Sequence, residues 1–410
     1  MAQINVTRTT SGNVVTPPVS VDALFNNGGA YYTKDSNGIV TPLGGGSGLF
    51  DAFITIHVSS MAIWGEVPPL SPSQYDIFQS NNLGKQFAGI KFNGNMGSTI
   101  REISFSNLNT VIEPFVIQYM SLLETINLDK LESASEIDIY YNTPLLEINL
   151  PKLYKSDHQG YATYAIDGII PILHIYLDGE NVTKIDLSSL EYGLDWVWIG
   201  DWTNSPLLTT VLTPILKQIA SGFGINSSPL ATINLPLFEQ GYLYLYNIGN
   251  TTLVLPAYDG TDTSSFDGSQ QQGYNIQSNA NLVSISMPNY IGNDYGQWNF
   301  NISDNPILET VSLPSQTKFG NEGYPRRLRI ADNISLTTIT LNAVPNLMIL
   351  GVRNNALTLA NEIELLTALI AGGNSGGSAN FSGGTNAAFD FEADALRTIL
   401  VNNGWNIQNN

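Results

Sequence analysis

Apolar residues recur along this chain in two alternating patterns. The first has a period of two. Ile137, Ile139 and Tyr141 alternate with polar neighbours, and so do Leu173, Ile175 and Leu177, then Val197 and Ile199. Leu243 and Leu245, Trp298, Phe300 and Ile302, and Leu328 and Ile330 repeat the pattern. Alternation of this kind predicts strands with one buried and one outward face. The second pattern is the frame L-x-x-I-x-L, often closed by Pro. It reads Leu123, Ile126, Leu128, then Leu145, Ile148, Leu150, then Val182, Ile185, Leu187. Further copies are Leu230, Ile233, Leu235; Leu282, Ile285, Met287; Leu308, Val311, Leu313; and Leu336, Ile339, Leu341. Ile100, Ile103 and Phe105 open the series, and weaker copies stand at 208–211 and 253–255.

Punctuation separates the two patterns. Pro151, Pro214, Pro236, Pro256, Pro288 and Pro314 stop six segments, because Pro has no N–H for a ladder and a fixed φ. Asn142, Asn204, Asn305 and Asn333 stand between the paired strands. Asn tolerates left-handed turns and bonds its own backbone, which suits a corner. Each unit therefore reads strand, Asn corner, strand, Pro stop, and returns after about 20 to 37 residues. One such coil cannot bury its apolar row alone, whereas stacked coils can. The expected fold is mainly β, a solenoid of stacked two-strand coils with Leu145, Ile148, Leu150, Ile233, Leu235, Ile285 and Ile339 inside. A β-sandwich is the alternative, but it has no reason to repeat the frame.

On these residues the array at 100–357 resembles the irregular leucine-rich repeats of bacterial surface proteins, the BspA-like group. The family's usual Cys and Phe positions are not regular here. The ending resembles that of leucine-rich-repeat proteins from tailed phages and some bacteria, through Asn354-Asn355-Ala356-Leu357, Ser382-Gly383-Gly384-Thr385-Asn386 and Gly404-Trp405. Phe389 stands where a Pro often occurs in such endings. Residues 358–410 are expected to form a C-terminal α/β cap of helix, strand and helix. Asn361 and Glu364 have capping-box spacing, and Ile363, Leu366 and Ile370 make a helical stripe. Gly372 and Gly373 stop that helix, "SANFS" reads as a strand, and a second helix around 393–401 ends near Gly404. Residues 1–48 hold one expected hairpin, "YYTK-DSNG-IVTP", and end in the glycine-rich stretch 44–48. They resemble the N-terminal arms by which phage fibre and spike proteins attach to the virion; a flexible leader is the other reading. Residues 49–99 are expected to form the N-terminal cap, with "FDAFITIHV" as a strand.

Composition narrows the function classes. Of 410 residues, 43% are hydrophobic and only 12% charged, about half the globular average. The net charge of −19 comes from 16 Lys and Arg against 35 Asp and Glu. Such a chain repels nucleic acid; its one dense basic spot is Arg326, Arg327 and Arg329. There is no Cys, which excludes disulfides and thiolate metal sites. No apolar run is long enough to span a membrane, so no membrane insertion is expected. The opening residues lack an apolar stretch of signal-peptide length, which favours a virion component over a secreted adhesin.

No enzymatic constellation emerges. His57, His158 and His174 form no close pair in sequence, and no nucleophile elbow or phosphate loop occurs. Asp259, Asp262 and Asp267 miss the calcium-loop spacing. No cofactor or metal is expected. Asp195 and Asp201, beside Trp196, Trp198 and Trp202, are the best candidates for a glycosidic carboxylate pair.

The outward neighbours of the first strands carry the functional signal. They are Tyr140, His174 and Tyr176, Trp196 and Trp198, Tyr242, Tyr244 and Tyr246, Asn299 and Asn301, and Arg327 and Arg329. The second strands expose Asn127, Asn149, Asp186, Asn234, Ser286, Ser312 and Thr340. Clustered outward aromatics point to contact with a partner. Flat Tyr and Trp rings suit sugar faces and also anchor protein interfaces. A stabilising cross-strand ladder and burial under the insertions at 154–171 and 257–280, or in a homotrimer, are the other readings. The expected function is a non-enzymatic virion protein, a tail fibre, spike or receptor-binding protein contacting a host cell-surface glycan or protein. Its candidate ligand-binding residues are Tyr140, Tyr176, Trp196, Trp198, Tyr242, Tyr244 and Tyr246. A bacterial surface adhesin is the alternative and a glycan-degrading spike the third reading.

Overall fold

The computed structural model describes residues 101–104, 108–111, 114–142, 144–155, 172, 174–200, 205–230, 232–260, 273–292, 300–319 and 326–410. Ahead of them it describes the backbone of seven strands between residues 6 and 93. Leu173, Trp298, Asn299, the glycine-rich stretch 44–48, residues 156–171 of the first insertion and 261–272 of the second lie outside the described residues.

The chain is mainly β, and its dominant feature is a 15-stranded sheet. In chain order the strands on its main path are β1 (Phe53–His57), β2 (Gly89–Asn93), β3 (Phe115–Gln118), β4 (Glu136–Tyr140) and β5 (His174–Leu177). Then come β6 (Trp196–Ile199), β7 (Gln218–Ser228), β8 (Gln240–Ile248), β9 (Gly273–Gln277) and β10 (Phe300–Ser303). The last four are β11 (Arg327–Ala331), β12 (Ile349–Gly351), β13 (Gly377–Asn380) and β14 (Trp405–Gln408). Neighbours in sequence are neighbours in the sheet. Every pairing along the path is parallel, and Tyr192–Gly193 joins beside β7. Each pass of the chain thus adds one strand at the growing edge.

Between passes, most copies of the L-x-x-I-x-L frame add a short strand to one of two further parallel sheets. Glu102–Ser104, Thr125–Asn127, Glu147–Asn149, Lys184–Asp186 and Thr210–Leu212 form one. Thr252–Val254, Ser284–Ser286, Thr310–Leu313 and Thr338–Leu341 form the other. The copy at 230–235 makes no strand, although Leu230, Ile233 and Leu235 are buried. This break lies beside β7, whose register against β8 shifts between Gln218 and Gly222.

Within each sheet the apolar positions stay in register, Ile126 opposite Ile148 and Ile148 opposite Ile185. A strand slipped by one residue would turn these side chains to solvent. Leu145, Ile148, Leu150, Ile285 and Ile339 are buried in one continuous apolar cluster that runs from Ile103 to Ile407. Each fully buried side chain of this size contributes about 1.5–3 kcal/mol. The proline stops carry cross-links between passes: Ser189 donates to the carbonyl of Pro151, Ser315 to that of Pro288 and Asn342 to that of Pro314.

The corners differ from the expectation in one respect. The left-handed residue is the one before the Asn: Tyr141, Ser278, Asp304, Asp332 and Asn354 have φ between 54° and 62°. The Asn itself is buried and bonds the next pass. Asn279 N–H donates to Asn305 Oδ1, Asn305 N–H to Asn333 Oδ1 and Asn333 N–H to Asn355 Oδ1, each at 3.0 Å. Their amide groups donate in turn to the carbonyls of Leu245, Ile276, Ile302 and Ile330. A buried backbone turn needs these partners, since an unpaired polar group there costs about 1–3 kcal/mol.

The C-terminal stretch extends the sheet as well as closing it. Helices α1 (Leu359–Ala371) and α2 (Phe391–Asn402) each lead into a further parallel strand, β13 and β14. β14 was not read from the sequence. The capping box is displaced too: Thr358 is the N-cap, and Asn361 is buried, exchanging bonds with the backbone of Ile339. Leu365, Leu366 and Leu369 are buried, whereas Ile363 and Ile370 are only partly so. Gly372 caps α1 and Gly373 follows at φ +69°. Near the N-terminus, Ala30–Lys34 and Val40–Pro42 pair antiparallel, as the hairpin reading expects, within a separate 4-stranded sheet.

Candidate recognition surface

The rows of the long sheet place aromatic side chains of β4 to β8 opposite the buried ones. Ile137, Ile139, Ile175, Val197, Ile199, Phe223, Ile225, Leu243 and Leu245 point to the core. Parallel register then aligns Asp138, Tyr176, Trp198, Gly224 and Tyr244 in one outer row. The next row holds Trp196, Gly222 and Tyr242. Tyr140, Tyr176, Trp196, Trp198, Tyr244 and Tyr246 are half-buried. Tyr242 is only 6% exposed and Asn301 only 8%, which corrects their assignment to the open surface. Glycines at 222 and 273 flank Tyr242, and Trp196 leans towards it at 6.1 Å, so its ring sinks between neighbours. Asn301 is covered because Arg329 and Asn275 bond it from the adjacent strands.

The rings form a band of two contacting groups, whose Tyr176 and Trp198 are register neighbours on adjacent strands. Tyr140 meets Tyr176 edge-on at 5.7 Å, Trp196 meets Trp198 at 5.1 Å, and Trp198 meets Tyr244 at 5.0 Å. Tyr119 and Tyr141, which the sequence reading left out of the row, stack at 5.1 Å at its margin. The tryptophans do not stand free in water. A Cβ on Gly224 would come within 2.4 Å of the Trp198 ring, and one on Gly222 within 2.7 Å of Trp196. Each indole packs over a glycine of β7, with the two ring planes 67° apart, and the Trp198 indole N–H is buried without a hydrogen-bond partner. The glycines are the residues that sequence reasoning missed here, because their function is to hold no side chain.

Beside the band the structure assembles charges that looked isolated in sequence. His174 Nε2 is 3.6 Å from Asp138 Oδ1, and its Nδ1 is 3.7 Å from Asp195 Oδ2. Burial pulls the His174 pKa down, but Asp195, Asp138 and Glu136 outweigh it and hold it above the ordinary value. His174, opposed by partial burial and helped by Ser221, holds Asp195 below the usual carboxylate range. Burial, and then the charge of Asp138, raises the Tyr140 phenol. Both ring nitrogens of His174 face carboxylates, so neither addresses a nucleophile, as a hydrolytic triad requires. Asp201 and Trp202, the other half of the candidate glycosidic pair, lie outside the described residues, as do Asp262 and Asp267. Among the described residues no group of three or more His, Asp or Glu could hold a metal ion, and no helix is long and apolar enough to cross a membrane. Compared with known proteins, the chain matches no family model, no curated protein and no solved structure.

Proposed function

We propose that this chain is a non-enzymatic recognition protein of a virion, a tail fibre, spike or receptor-binding protein. In this reading the parallel passes form a leucine-rich-repeat solenoid, and residues 1–48 attach it to other virion proteins. The observation that carries the reading is the aromatic band on the outer face of β4 to β8. Six half-buried Tyr and Trp rings, in two groups with edge-on, tilted and stacked contacts, leave a broad apolar platform. Rings held by their neighbours lose little entropy on binding, which is why Tyr and Trp dominate interface hot spots. The seating of Trp196 and Trp198 on glycines supports a preorganised platform, since each indole packs against the strand beneath it and against a neighbouring ring.

The test uses the full chain and whole bacterial cells, with adsorption read by pull-down and on arrays of bacterial envelope polysaccharides. Tyr176→Ser and Tyr244→Ser remove platform rings without touching the core. Each is expected to weaken adsorption by about 1–3 kcal/mol while circular dichroism and Tm stay near the parent values. Full adsorption by the double variant would overturn the assignment of the band as the recognition site.

A further inference from the structure

The partner's charge can be inferred from what borders the band. On β4 to β8 the outward residues include Glu136, Asp138 and, at the entry to β6, Asp195. Within these strands the one group able to carry positive charge is His174; Lys217, at the entry to β7, is ion-paired with Glu191. Its two carboxylate neighbours are 25% and 44% exposed at their side chains, so Asp195 in particular meets solvent. Carboxylates beside Trp and Tyr faces form the arrangement that attracts an organic cation, through Coulomb attraction and through the negative faces of the rings. The chain's net charge of −19 strengthens this preference and disfavours polyanions.

We propose that the platform takes a glycan bearing ammonium groups, with pyranose C–H faces against Tyr176, Trp198 and Tyr244 and the cationic substituent towards Asp195 and Asp138. The inference rests on the recognition reading above and adds the charge class of the ligand. His174 is the internal competitor. When it is protonated its charge lies between Asp138 and Asp195, with Glu136 beside it, and opposes an incoming cation. When it is neutral that opposing charge is gone and the carboxylate field dominates. Ser221, which bonds Asp195, and Tyr140, beside Asp138, also belong to this cluster.

The experiment compares three hexasaccharides by calorimetry with the full chain: N-acetylglucosamine (neutral), its N,N,N-trimethylglucosamine counterpart (permanently cationic) and an oligouronate (anionic). At pH 8 the cationic probe is expected to bind at least about tenfold tighter than the neutral one, with the oligouronate weakest. Asp138→Asn combined with Asp195→Asn should collapse that ratio towards one. Lowering the pH to 5.5 should shrink it in the parent, because the probe's charge does not titrate and His174 does. Equal binding of cationic and neutral probes overturns the charge preference, and so does a ratio that survives the double Asn variant. If Tyr176→Ser still abolishes equal binding, the recognition reading stands without it. Absence of binding by any hexasaccharide overturns the glycan inference, and cell adsorption then decides the recognition reading separately.

Discussion

Glu362 shows how a single residue can set the pH dependence of the fold. It lies in the first turn of α1, wholly buried, with neither carboxylate oxygen hydrogen-bonded. Burial pushes its pKa up to about 7. Below the unfolded value of about 4.3 both states hold the proton and there is no ionisation penalty. As pH rises towards 7 the unfolded chain ionises first, so stability falls. Above 7 both states are ionised and the loss is constant. The stability gained by Glu362→Gln relative to the parent is expected to be larger at pH 8 than at pH 4 by about 3–4 kcal/mol, read from urea denaturation at the two pH values. An unchanged difference between them would show that Glu362 keeps its ordinary pKa. Other residues were readable beforehand: Asn142, Asn305 and Asn333 stood out as corners. Their actual work, bonding the adjacent passes, depends on neighbours 22 to 31 residues away, and so could not be read locally.

At the scale of elements, β6 and β7 behave as one unit. β7 offers Gly222 and Gly224 as a floor, and β6 lays Trp196 and Trp198 on it. Gly224→Ala should lift the Trp198 indole, because the new methyl would lie 2.4 Å from its Cε3. Displacing a packed ring costs about 1–3 kcal/mol. The expected signature is a red-shifted tryptophan emission and a weakened near-UV dichroism, with the far-UV spectrum intact. A parent-like near-UV spectrum would refute the packing. Phe223 and Ile225 in "SGFGINSS" do alternate, but small polar neighbours hid β7 from the periodicity reading. Only the partner strands show why glycine is required there.

Across the whole molecule, stability accumulates along one direction. Each strand between the two ends of the long sheet pairs with the pass before and the pass after, so an open end exposes both a strand edge and the apolar row behind it. Helices α1 and α2 with β13 and β14 occupy the C-terminal end, burying Leu365, Leu366, Leu369, Leu400 and Trp405. A chain ending at residue 357 is therefore expected to aggregate on expression, whereas a chain lacking residues 1–48 should keep its far-UV spectrum and melting transition. A soluble, monomeric 357-residue product by light scattering would show that the helices are dispensable for closure.

Local periodicity determined the strand type, the buried face and the helical ending, because those follow from the side-chain repeat of each element and the positions of Pro and Gly. Mainly β structure, the buried L-x-x-I-x-L row and the outward Tyr and Trp residues were all legible that way. Tertiary structure alone decided which outward residues meet. The depth of Tyr242, the seats of Trp196 and Trp198 on β7, and the approach of His174 to Asp138 and Asp195 depend on which pass lies beside which. That is fixed by parallel register between segments about 20 to 37 residues apart, and no window of sequence short enough to show a period contains both partners.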